Sequence, residues 1–180
     1  MCKPVWQGGP LAGWLGAEVC RRPSEPTGGR VMSGDREEIV AVLIRYARAI
    51  DTKDWTLLRT CFRSDVMADY GAIGSWQGVA DLSAFMVDAH AGMGPTQHML
   101  SNFQIDIDGD RAQSVSYVHA ITVLASHPDD WIDTVGIYSD RLERGDDGWK
   151  ITDRNFQPTR TVLSPSLTRP NDLMRPGPTS

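Results

Sequence analysis

Cysteine is scarce, with 3 in 180 residues. Cys2, Cys20 and Cys61 form an odd set, and two of them fall in a Gly/Pro-rich leader. That argues against a disulfide framework and predicts reduced thiols in a cytoplasmic setting. No apolar run approaches the length of a membrane span, so no membrane partner is expected. LeuAlaGlyTrpLeuGly (11–16) is too short and too poorly flanked for a signal peptide. Basic clusters are missing as well: 18 Lys and Arg face 23 Asp and Glu, a net charge of −5. Phosphate binding wants a basic face, so nucleic acid is not the expected partner. The chain has no GxGxxG and no GxxxxGK[ST], which argues against a nucleotide cofactor. It has no GxSxG serine elbow and no zinc spacing, since AspAlaHis (88–90) alone does not make one. AspIleAspGlyAsp (106–110) opens like a calcium loop but lacks the closing glutamate, and a hairpin turn explains it better. The expectation is a site without metal or cofactor.

What remains is an ordinary globular composition, 41% hydrophobic and 23% charged, enough for one domain with a real core. Residues 1–33 have no sustained hydrophobic period and read as a disordered tail, or as a stretch upstream of a true start at Met32. Residues 164–180, with Pro165, Pro170, Pro176 and Pro178, read as an irregular C-terminal tail whose Leu173–Met174 can fold over a pocket or a partner subunit. The folded domain is then 34–163. Asp35 is expected to cap a helix, with Glu38 completing a capping box. Ile39, Val42, Leu43, Tyr46, Ala47 and Ile50 follow helical spacing. Thr52 or Asp54 caps a short second helix carrying Trp55, Leu58, Cys61 and Phe62. Val66 to Tyr70 reads as a strand and GlyAlaIleGly (71–74) as a turn. A third helix holds Leu82, Phe85, Met86 and Ala89 and ends at GlyMetGlyPro (92–95). Two hairpins follow, 98–107 with 112–124 about AspGlyAsp, and 134–144 with 149–157 about GlyAspAspGly. Helices first and long antiparallel strands after is the α+β pattern. A curved sheet wrapped on the helices leaves a cone-shaped α+β barrel whose mouth is a natural pocket.

Two residues stand out. Asp51 falls on the edge of the first helix's apolar stripe, and His98 opens an apolar strand. Together they would make an Asp–His pair, a common way to hold a general base near neutral pH. Each also has a plain structural reading: Asp51 as a helix-end or capping residue, His98 as a structural strand histidine. Alternation puts His98, Leu100, Asn102 and Gln104 on one face and Met99, Phe103, Ile105 and Ile107 on the other. His119 is either a second acid–base group or a satisfied core histidine. The hydroxyls of Tyr46 and Tyr70 can polarise a carbonyl if they reach the pocket. Tyr138 reads as core. Asn102 is a candidate hydrogen-bond partner for substrate. Trp76 and Trp131 flank loops that can rim a mouth. His90 and His127 are expected in solvent.

TyrAlaArgAlaIleAspThrLysAspTrp (46–55), AlaAspTyr (68–70), GlnHisMetLeuSerAsn (97–102) and GlyIleTyrSerAspArgLeuGluArg (136–144) running into GlyTrpLysIle (148–151) carry a resemblance. Over roughly residues 35–162 the chain resembles the SnoaL-like branch of the nuclear transport factor 2-like superfamily. Within it the chain looks most like scytalone dehydratase and bile-acid 7α-dehydratase. The resemblance implies a cone-shaped barrel, a deep apolar pocket, no cofactor, and a homodimer or homotrimer. It matches a helix Asp to Asp51, a strand His to His98, and tyrosines to Tyr46 and Tyr70. It departs at Ile50, where scytalone dehydratase has tyrosine, and near His119 and Ala120, where the bile-acid enzyme has aspartate. The late arginine of the latter finds only an approximate match in Arg160.

The combined reading is a cofactor-independent lyase or isomerase acting on a small, largely apolar hydroxy-ketone or polycyclic compound. His98 is its base, Asp51 orients His98, Tyr46 and Tyr70 hold an enolate oxygen, and His119 protonates a departing hydroxyl. Hydrolysis or cyclisation is the alternative chemistry. A small-molecule-binding or assembly protein of the same fold is the alternative without chemistry.

Overall fold

The computed structural model describes residues 34–167. The readings made for residues 1–33 and 168–180, including Cys2, Cys20, Met32 and Leu173–Met174, lie outside the described residues. Helix α1 spans Asp35–Thr52 and buries Ile39, Val42, Leu43, Tyr46, Ala47, Ala49 and Ile50, an apolar stripe at helical spacing. Its cap is Gly34, with no side-chain cap bond, so the expected Asp35 capping box is not formed. Asp35 is instead the first helical residue and is 1% exposed. There it accepts from Arg144 Nη1 at 2.6 Å and from Trp149 Nε1 at 3.4 Å. A tertiary ion pair has taken the carboxylate that a local cap would have used.

The other end of α1 is closed by Lys53 in the left-handed region, φ 55°. Lys53 N–H donates to Ile50 O at 3.0 Å and Asp54 N–H to Ala49 O at 2.9 Å, the paired bonds of a Schellman ending. Asp54 then caps α2, Trp55–Thr60, by accepting from Leu57 N–H at 2.9 Å. Cys61 and Phe62, read as helical from spacing, lie beyond it: Phe62 opens strand β1, Phe62–Asp69. A 3-10 turn at Gly71–Ile73 and the short strand β2, Ser75–Gln77, lead into α3, Val79–Ala89.

Four long strands complete the chain: β3 Met93–Asp108, β4 Arg111–Leu124, β5 Trp131–Gly145 and β6 Gly148–Leu163. Strand β3 begins at Met93, so Gly94 and Pro95 belong to it rather than to a loop. The sheet order is β2-β1-β6-β5-β4-β3. Its pairings are antiparallel except for the parallel contact of β1 with β6. The helices lie on its inner face, giving the cone-shaped α+β fold. At Gly136 an added Cβ would stand 2.6 Å from a Phe156 ring carbon and 2.7 Å from Gln157 O. Only glycine lets Phe156 lie across β5 there.

Residues 164–167, just after β6, have no regular secondary structure but are held in place. Ser164, 1% exposed, donates to Asp130 Oδ1 at 2.9 Å, and Ser166 also donates to that oxygen. These bonds pin the chain to the β4–β5 connection through Leu167.

One irregularity reorders the inner face. Between Ser101 and Gln104, β3 advances three residues while β4, from Tyr117 to Val115, advances two. The extra residue is a β-bulge at Asn102, φ 53°, and it inverts the alternation. Thr96, His98 and Leu100 face inward before it, and Phe103, Ile105 and Ile107 face inward after it. The expectation that His98 opposes Phe103, Ile105 and Ile107 is therefore wrong. Strict alternation does not survive an inserted residue.

Candidate active site

The end of α1 is tied to the start of β3. Lys53 Nζ donates to the carbonyls of Met93 and Gly94, the latter at 3.1 Å. That clamp sets Asp51, in the last turn of α1, against Thr96 and His98. A carboxylate at a helix C-terminus meets the negative end of the helix dipole, so it needs donors, and β3 supplies three. His98 Nδ1 lies 2.7 Å from Asp51 Oδ1. The His98 backbone N–H donates to Oδ2 at 3.0 Å, and Thr96 Oγ1 donates to Oδ1 at 3.2 Å. Burial alone would raise the Asp51 carboxyl. The His98 ring and backbone bonds, the charge of His98 and the Thr96 hydroxyl together outweigh it and hold the carboxyl below its ordinary value. An ionised carboxylate only accepts, so Nδ1 carries a proton, and in the neutral form of the ring the lone pair lies on Nε2. Among the described residues Nε2 has no hydrogen-bond partner. The pair is mostly shielded, with side-chain exposures of 10% for His98 and 23% for Asp51.

Tyr46 and Tyr70 form a second pair, their hydroxyls 3.0 Å apart and buried. Tyr46 lies five residues before Asp51 on α1, a rise of roughly 7.5 Å along the helix axis. Burial, first of all, raises the Tyr70 and Tyr138 phenols well above their ordinary value. They stay neutral donors.

Beneath the tyrosines lies a group that periodicity did not reveal. Arg154 donates to Asp140 through Nε at 2.7 Å and Nη2 at 2.8 Å, both side chains fully buried. Its guanidinium sits 4.0 Å from the Tyr46 ring centroid and 4.2 Å from that of Tyr138. Burial opposes the charge, but Asp140 and the tyrosines outweigh it. The available signal was Asp140 in phase with Tyr138 and Leu142, a charge on an otherwise apolar face.

His90 was also missed. It caps the C-terminal end of α3, with Nδ1 2.8 Å from Met86 O and its ring against Trp55 at 5.6 Å. It is partly buried rather than in solvent. Burial lowers its pKa from the ordinary value, as do the charges of His98 and Lys53, against the raising effects of Met86 O and Asp51. Its place directly before the turn into β3 was the signal to read. His127, the other histidine expected in solvent, is partly buried and bonded to Ser126 Oγ at 2.9 Å.

Other expected site residues fall elsewhere. His119 pairs with Met99 across β3–β4, while His98 pairs with Ala120, so His119 is on the outer face. There its Nε2 is 2.9 Å from Asp133 Oδ1. Arg160 is exposed and opposes Val135 on that same outer face. Asn102 is exposed at its bulge. Trp131 pairs with Val123, again on the outer face. Trp76, in contrast, stacks on Phe85 at 3.9 Å and meets the Tyr70 ring edge at 6.0 Å. The inner wall beside His98 is Ala120, Thr134 and Thr161, without another acid or base. Hollows of ≈ 460 and ≈ 680 Å³ on the outer side are lined by residues such as Asp106, Arg111, Gln113, Arg141 and Asp153. They lie away from Asp51 and His98, which are the better guide to chemistry. Among the described residues no group of three or more His, Cys, Asp or Glu can hold a metal ion. No described helix is long and apolar enough to cross a membrane.

Comparison with known proteins places the fold and the family. A SnoaL-like domain model matches residues 32–155. An uncharacterized protein of Mycobacterium tuberculosis is 31% identical over 121 residues, covering 67% of this chain and 82% of that protein. A Novosphingobium aromaticivorans structure, provisionally named an aromatic ring hydroxylase, is similar with 28% identity and a TM-score of 0.67, covering 78% of this chain and 96% of that one. A second structure from that organism, provisionally named a scytalone dehydratase, shares the fold at 22% identity and a TM-score of 0.66, covering 71% of this chain and 85% of that one.

Proposed function

The chain belongs to the SnoaL-like domain family, and on that premise we propose that it is a cofactor-independent lyase of the dehydratase type. Its substrate in this reading is a small, largely apolar hydroxy-ketone or polycyclic compound. The observation that carries the reading is the Asp51–His98 pair, in which one ring nitrogen is held at 2.7 Å and the other has no hydrogen-bond partner among the described residues. His98 Nε2 removes a proton alpha to the substrate carbonyl. The C–H electron pair becomes the enolate, which reforms the carbonyl as the β-carbon–oxygen bond breaks. The proton on Nε2 passes to the departing hydroxyl, so water and an enone leave and the ring returns neutral. Asp51 stabilises the intervening imidazolium.

His119, on the outer face, has no part in this. Tyr46 and Tyr70 hydrogen-bond the enolate oxygen: their mutual bond uses one hydroxyl proton and leaves the other to donate. Trp76 and Phe85 pack an apolar ring. The substrate-class name carried by the second Novosphingobium structure agrees with this chemistry. The test is a screen of β-hydroxy-ketones followed by enone absorbance, with wild type, Asp51→Asn and His98→Ala. Turnover that survives both substitutions sinks the reading. Saturable binding without turnover would make the protein a ligand carrier of the same fold.

A further inference from the structure

Among the described residues two non-glycines take a positive φ, Lys53 at 55° and Asn102 at 53°. Asn102 makes the bulge in β3. Lys53 stands where a helix ending of this kind ordinarily takes glycine, and a side chain there is strained. Such strain persists where the surroundings hold the residue to a task. Among the described residues, the hydrogen bonds that join the end of α1 to β3 are those of Asp51 and those of Lys53. Thr52 adds none, since its hydroxyl turns back to Arg48 O within the helix.

Lys53 holds β3 at an irregular stretch. From Met93 to Thr96 β3 advances three residues while β4, from Leu124 to Thr122, advances two. Pro95, inside that slip, has no N–H to give to the ladder. The Met93 and Gly94 carbonyls there accept from Lys53 Nζ, and Thr96 and His98 follow directly. We infer that Lys53 is a positioning residue for the base. By fixing the start of β3 to the end of α1 it keeps the Asp51 carboxylate on Nδ1 of His98, and so keeps the lone pair of the neutral ring on Nε2. It acts through Asp51 and not on the reacting atoms. The hydrogen bond at one ring nitrogen sets which nitrogen carries the proton. A neutral ring whose partner wanders shares its proton between the two, and a nitrogen that carries the proton cannot accept another. The effect on turnover rests on the lyase reading; the effect on the tautomer does not.

Two variants of the full chain test it. Lys53→Gly suits the left-handed backbone and removes the amine, whereas Lys53→Met keeps the stem. Two-bond proton–nitrogen correlation spectra of the histidine rings are recorded at about pH 9, above the ordinary histidine value. His98 is identified by the signals lost in His98→Gln, and far-UV circular dichroism confirms that each variant is folded. In wild type the Nδ1 shift should be that of an N–H and the Nε2 shift that of a lone-pair nitrogen. In both variants the two shifts should draw together. On any β-hydroxy-ketone that wild type turns over, kcat should fall about tenfold or more, with KM within about threefold of wild type. A pure Nδ1–H ring retained in the folded variants overturns the inference, whatever becomes of turnover. A wild-type ring with its proton on Nε2 overturns it together with the lyase reading. Mixed tautomers in the variants, with no turnover by wild type, uphold the positioning role and count against the lyase reading alone.

Discussion

His98 and Phe103 face the same side of the sheet although they stand five positions apart, an odd interval. The inversion is made by Asn102, whose φ of 53° inserts one residue between the pairs Ser101–Tyr117 and Gln104–Val115. Without it, either His98 or the apolar run from Phe103 to Ile107 would turn away from the helices. Asn tolerates this conformation; a β-branched side chain does not. Asn102→Val should cost about 1–2 kcal/mol, while Asn102→Gly should be neutral or slightly stabilising. Urea midpoints of the two variants check this.

The Asp51–His98 pair should behave as a unit. A placed general base contributes about two to four powers of ten in rate, so Asp51→Asn and His98→Ala should each lose a large part of that. The double variant should lose little more than the worse single. Multiplicative losses in kcat/KM would show that the residues act separately.

Acid stability follows from the same bonds. The Asp51 carboxyl lies below its ordinary value, so its contribution is present above its unfolded pKa of about 3.9 and is lost as pH falls through the folded value. His90 lies below its ordinary 6.5. The unfolded chain therefore binds its proton first, and stability falls as pH drops from 6.5 through the folded value. Melting temperature against pH should flatten in the acid range for Asp51→Asn and in the range just below 6.5 for His90→Gln.

The sealed Arg154–Asp140 pair should show the asymmetry of buried ions. Removing one partner strands the other, so Arg154→Met or Asp140→Leu should cost about 3–5 kcal/mol. The double replacement should cost less than either alone. Chemical denaturation of the three variants decides it, and a double change as costly as the two singles combined would assign the cost to packing.

Much was legible in the sequence because it is local. The α1 stripe, the Asp54 cap and the two hairpin turns are written in residues a few positions apart. Asp51 and His98 stood out as a helix-edge carboxylate and a strand-opening histidine on either side of those elements. What the sequence could not settle is which face each strand residue takes once a bulge intervenes. The bulges at Asn102 and between Pro158 and Arg160 arise from how neighbouring strands pair, and no periodicity encodes them. They decide that Phe103 joins His98 inside and that Arg160 lies outside. His119 is outside because it pairs with Met99 rather than with the inward His98. The same holds for Asp35, drawn from a local cap to Arg144 across the fold, and for Arg154 and Asp140, whose mutual attraction acts only where folding has removed the water between them. Local spacing thus determined the elements and proposed the residues. Long-range pairing and desolvation decided which of those residues meet.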